Sequence, residues 1–92
     1  MDNEEAKKEY IRKRANELSK AGKSISAKDL ADELNESGLK TSYGTPFQGA
    51  RGTYTLIRST YRWLDKTLGS PEEPSHVARA FTKPDGRYAY ET

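Results

Sequence analysis

Cysteine is absent from the 92 residues, and histidine occurs once, at His76. The first absence excludes disulfides and thiolate metal sites, and the second leaves too few nitrogen donors for a zinc centre. No metal or cofactor is therefore expected. Long apolar runs are also missing, and none approaches the ~20 residues of a membrane span. The first residues, Asp2-Asn3-Glu4-Glu5, are acidic where a secretory leader is basic. A cytoplasmic chain with no membrane partner is the expectation. There is no phosphate-cradling glycine loop, no nucleophile elbow and no histidine–cysteine pair, so no catalytic residues are expected. Glu72 and Glu73 pair carboxylates only in sequence, beside Pro71 and Pro74, a poor setting for acid–base chemistry.

A large core is missing too. Apolar residues make up 33% of the chain and charged residues another 33%. A domain this small buries roughly 60–65% of its unfolded surface, which leaves stability marginal. Residues 1–92 are read as one domain, for which a second copy of the chain is the expected stabilising partner. No small-molecule ligand is suggested.

Charge is present in quantity, and its distribution is uneven. The net charge is +2, but residues 39–68 carry Lys40, Arg51, Arg58, Arg62 and Lys66 against Asp65 alone. The flanking segments are near neutral or acidic. Clustered positive charge is what a phosphate backbone attracts.

Helix formers without proline or glycine predict a first helix over 4–21, with Ile11, Ala15 and Leu18 on its buried face and Gly22 as its stop. Ser26 and Asp29 resemble a capping box that opens a second helix over 27–37. In that helix Ala27, Leu30, Ala31 and Leu34 form the buried stripe, and Gly38 closes it. Residues 40–48 read as a loop anchored by Phe47. A third helix is predicted over 50–68, where Tyr54, Ile57, Tyr61, Leu64 and Leu68 fall within ~40° of one line. Gly69-Ser70-Pro71 would end it, and residues 72–75 read as a rigid connector. Alternation at Val77, Arg79 and Phe81, then at Tyr88 and Tyr90, around Lys83-Pro84-Asp85-Gly86, predicts a β-hairpin of 77–82 with 87–91. Ile25 is a candidate third strand beside it. Three helices and a hairpin define a mainly α fold with a β-hairpin (α+β), in the order of a winged helix-turn-helix.

The outward face of the third helix carries the functional expectation. Arg51, Thr55, Arg58, Arg62 and Lys66 share one side, with no acid among them. A helix fits the major groove of double-stranded DNA, the expected partner, where arginine bonds guanine bidentately. Gln48, Arg51, Thr53 and Thr55 are candidates for base readout, and Arg58, Arg62 and Lys66 for phosphate contacts. Thr41, Ser42 and Tyr43 offer neutral phosphate bonds from the loop. Lys83 and Arg87, with Arg79, are the candidate wing contacts. Gly49 and Gly52 either allow close backbone approach or set the start of the helix. Trp63 and Leu56 either complete the core against the first helix or form an apolar patch, and a protein-docking module without DNA binding is the alternative reading.

The run Leu34-Asn35-Glu36-Ser37-Gly38-Leu39-Lys40-Thr41-Ser42-Tyr43-Gly44-Thr45-Pro46-Phe47 resembles the DNA-binding region of large serine recombinases. There a helix ends in Leu-Asn-x-x-Gly, followed by threonine, glycine, an aromatic residue and a second helix. Leu30, Ala31, Leu34, Asn35, Gly38, Thr41, Gly44 and Phe47 fill those places, within a match over residues 27–64. The resemblance departs at Gly49-Ala50-Arg51-Gly52, which lengthens the approach to the helix, and no catalytic recombinase domain accompanies it. It implies a DNA-binding unit used alone as a small regulator. The Asn35 amide is expected to cap its helix or to tie down the loop.

Overall fold

Three of the helices stand where apolar periodicity places them. In the computed structural model, which describes residues 3–68 and 72–91, α1 spans Asn3–Ala21, α2 Ala27–Glu36 and α3 Arg51–Leu68. Ile11, Ala15 and Leu18 of α1 meet Ala27, Leu30, Ala31 and Leu34 of α2 in one core with Ile57 and Leu64 of α3. Full burial of each large aliphatic side chain contributes roughly 1.5–3 kcal/mol. Ser26 caps α2 by accepting a 3.0 Å bond from the Asp29 amide. The ends of α1 and α2 close alike. Gly22 (φ 64°) and Gly38 (φ 77°) take the left-handed turn, and Lys23 and Leu39 return 2.9 Å bonds to the carbonyls of Leu18 and Leu34. The stop expected at Gly69-Ser70-Pro71 lies outside the described residues.

The C-terminal hairpin is not formed as expected. Residues Glu72–Ala80 are a fourth helix, α4, so 72–75 are its first turn and not a connector, and 77–80 are not strand. Alternation at Val77, Arg79 and Phe81 coincides with a helical stripe, because Pro74, Val77 and Ala80 are the buried residues of α4. Proline is tolerated in a first turn, whose amides need no partner within the helix, and Glu72 and Glu73 suit the positive end of the dipole. Two alanines then favour continuation.

Strand pairing is reduced to β1 (Ile25–Ser26) and β2 (Phe81–Thr82). They run parallel, with Ile25 opposite Phe81 and Ser26 opposite Thr82. Ile25 does supply a strand, but as one of two. The turn after β2 closes as its residues predict: the Gly86 amide bonds the Lys83 carbonyl at 3.0 Å and the Lys83 amide bonds the Arg87 carbonyl at 2.7 Å. Asp85 accepts from the Arg87 amide at 3.0 Å. Beyond it there is one antiparallel bridge, Thr82 with Tyr88, and then a 3₁₀ turn, Ala89–Glu91. Tyr90 leaves strand geometry to stack on Tyr61, with ring centroids 4.2 Å apart.

A polar clasp joins α4 to α1. Glu73 accepts from Arg12 Nε at 3.1 Å and from the Asn16 amide at 2.9 Å. The Asn16 side-chain oxygen lies 2.8 Å from His76 Nδ1. Burial raises the Glu73 carboxyl, but the bonds from Asn16 and Arg12 outweigh it and hold the group below its ordinary range. Tyr10 and Arg14 make the corresponding link to α2, meeting Glu33 at 2.9 and 3.0 Å. The helices that carry α3 are thus fixed by ion pairs outside the core as well as by apolar packing.

Candidate nucleic-acid interface

The buried face of α3 differs from its expected centre line. Thr53, Leu56, Ile57, Thr60 and Leu64 are buried, whereas Tyr54 and Tyr61 lie half-exposed at the edge. Threonine serves here as a core residue because its hydroxyl is satisfied by a backbone carbonyl three or four residues earlier. Thr60 Oγ1 donates to the Leu56 carbonyl at 2.8 Å, and Thr53 Oγ1 donates to the Ala50 carbonyl. Thr53 is fully buried, so its expected role in base readout is overturned.

The opposite face keeps its expected composition. Arg51, Thr55, Arg62 and Lys66 are exposed and Arg58 is half-exposed, with Gln48 exposed just before the helix. The first turn of α3 contains no acid, so its positive dipole end adds to the field of the side chains. Asp65 is exposed at the margin of the stripe. The 18 residues of α3 span roughly 27 Å at ~1.5 Å per residue, long enough to cross a major groove.

Two turns flank this face. On one side Lys83 rises from the 83–87 turn to place its ammonium 5.5 Å from the Tyr54 ring centre. Arg87 is exposed beside it, 3.7 Å from Asp85. On the other side stands the loop after α2. Asn35 binds the backbone of Phe47 at both ends, donating to its carbonyl at 2.9 Å and accepting from its amide at 2.7 Å. The amide therefore ties down the loop, and Phe47 is buried as its anchor. Gly52 packs closely against the same ring: a Cβ there would lie 3.3 Å from it, so Phe47 would have to give by a few tenths of an ångström.

Of the loop candidates, Thr41 is half-buried and its hydroxyl is engaged with that of Thr45 at 2.9 Å. Ser42 is exposed and donates to Glu4 at 2.8 Å. Both hydroxyls hold the loop together before they meet any ligand. Glu4 is lowered by its bonds from Lys7 and Ser42, against a smaller effect of burial. Lys7 gave no signal in the sequence, yet its side chain is buried between Glu4, 2.8 Å away, and the Phe47 ring. A cation at that position on α1 is readable only once the loop folds over it.

The proposed apolar patch loses its members. Leu56 is buried, and Trp63 is half-buried under the Lys8 ammonium, 6.0 Å from its ring. Arg79 shares a cavity of about 420 Å³ with Lys23, His76 and Tyr88, which no α3 residue lines. It is separate from the stripe. Among the described residues no three His, Cys, Asp or Glu side chains are grouped to hold a metal ion, and no helix is long and apolar enough to cross a membrane. Comparison with known proteins gives no match to a family model, a curated protein or a solved structure.

Proposed function

We propose that the chain binds double-stranded DNA sequence-selectively, laying the Arg51–Lys66 face of α3 in the major groove, as a small cytoplasmic regulator of transcription. The observation that carries this reading is the stripe itself. Arg51, Thr55, Arg58, Arg62 and Lys66 occupy one side of a helix whose other side is core, so their direction is set by packing. Arg51 and Thr55, near the helix start, are positioned for base edges with Gln48, and Arg58, Arg62 and Lys66 for phosphates. The resemblance of residues 27–64 to a recombinase DNA-binding region points the same way. A full winged helix is not needed: the 83–87 turn, with Lys83 and Arg87, serves as a short flanking contact to backbone.

A single module of this size covers little DNA, and two copies on adjacent half-sites would raise both affinity and specificity. The test is anisotropy titration of a fluorescent random duplex pool at about 50 and 200 mM salt, with sequencing of the retained fraction. Binding should fall with salt on a log–log slope of about −4 to −6 and enrich a motif. Arg51→Glu with Arg62→Glu should weaken binding by about a hundredfold or more, because like charge is then set against phosphate. Its melting temperature should stay close to the parent's, since both side chains are exposed. Equal affinity in that double variant would remove α3 as the DNA-binding element.

A further inference from the structure

Among the described residues two large hydrophobic side chains are exposed, Tyr43 and Tyr88, and Tyr43 is 92% exposed. A ring so exposed adds nothing to folding through burial, yet the turn that carries it is firmly built. The Thr41 amide bonds the Thr45 carbonyl and the Gly44 amide bonds the Thr41 carbonyl, both at 2.9 Å. Thr41 Oγ1 also accepts from the amides of Tyr43 and Thr45 at 3.3 and 3.4 Å. Ser42 fastens the turn to α1 through Glu4, and Asn35 fastens its far end through Phe47. An aromatic ring at the tip of a prefixed turn loses little backbone freedom on binding.

The place of that ring is specific. Tyr43 stands at a cavity of about 260 Å³ floored by Phe47, Gly52 and Leu56 and edged by Thr55 and Ser59. Thr55 belongs to the basic stripe. At ~100° per residue, Gly52 and Tyr54 lie roughly 80° to either side of Arg62, so Tyr43 and Lys83 flank the stripe from opposite sides. Glu4 faces the same cavity. Lys7 lines it too and is paired with Glu4 at 2.8 Å, so the cavity presents no net charge to draw a phosphate, and a neutral ring suits the uncharged parts of DNA, deoxyribose and the thymine methyl.

Resting on the DNA-binding reading of α3, we infer that Tyr43 packs its ring against the sugar or thymine-methyl surface at the edge of the major groove that α3 enters. The 41–45 turn is then a second DNA-contacting element. Ring and hydroxyl are separable by Tyr43→Ala and Tyr43→Phe, titrated against the labelled duplex enriched from the pool. Tyr43→Ala should bind about tenfold more weakly, through loss of the apolar area the ring buries on the duplex, and Tyr43→Phe should stay within about twofold of the parent. The salt slope should be the same for all three, because Tyr43 releases no counterion. Melting temperatures should also coincide.

Parent-like affinity in Tyr43→Ala, with the Arg51→Glu/Arg62→Glu variant still defective, would overturn the ring contact and leave α3 standing. Tyr43→Phe as weak as Tyr43→Ala would also overturn it, by assigning the effect to the hydroxyl. A fall in melting temperature alongside the lost affinity would assign it to folding. A parent chain that binds no duplex at low salt would remove both readings together.

Discussion

Asn35 shows how one side chain can hold a loop that has no regular structure of its own. Its amide matches the backbone of Phe47 donor to acceptor and acceptor to donor, as a paired strand would. Asn35→Ala removes both bonds and leaves a Phe47 amide in a part-buried site without its acceptor. The expected cost is about 2–3 kcal/mol, or roughly 10–20 °C in melting temperature for a domain of this size, read by circular dichroism. A melting curve matching the parent's would show that Phe47 anchors the loop by ring burial alone. Thr53 and Thr60 make the complementary point, since a polar residue type becomes core when a nearby backbone carbonyl accepts its proton.

Among the elements, α4 has most influence on the shape of the molecule. It packs between α1 and α3 and leads into β2, so Phe81, fully buried, arrives beside Ile25. Proline discriminates the two conformations at Ala78. In a helix it deletes a backbone bond and clashes with the preceding turn, at about 3 kcal/mol or more, whereas an edge strand can accommodate it. Ala78→Pro should therefore shift the urea midpoint strongly downward. An unchanged midpoint would count against α4.

For the whole molecule, the balance between thin core and dense charge makes stability depend on pH. The Glu73 carboxyl lies below its ordinary value in the folded chain because Asn16 and Arg12 outweigh burial, and Glu4 is lowered by Lys7 and Ser42. A carboxyl lowered on folding stabilises fully above its unfolded pKa, ~4.3, and loses that contribution as pH falls through the folded value. Melting temperature should hold between about pH 7 and 5 and decline toward about pH 3. Glu73→Gln should melt lower than the parent near neutrality and decline less on acidification, so that the two curves converge. Curves that stay parallel would show that the clasp between α1 and α4 is not the group that titrates.

Apolar spacing by itself determined α1, α2 and α3, because a buried stripe at helical period leaves little choice of conformation. The caps at Ser26, Gly22 and Gly38 were equally legible, since each depends on neighbours a few residues away. The basic stripe was legible for the same reason: charge excluded from a core must lie opposite it. Tertiary structure decided the rest. Val77-Ala78-Arg79-Ala80-Phe81 satisfies period two and period three and a half alike, and only packing against α1 and α3 selects the helix. Thr53 reads as polar until its hydroxyl is seen bonded to Ala50. The flanking positions of Tyr43 and Lys83 require the loop to be pinned by Asn35 and the last turn to be set by β2, contacts made between residues far apart in the chain.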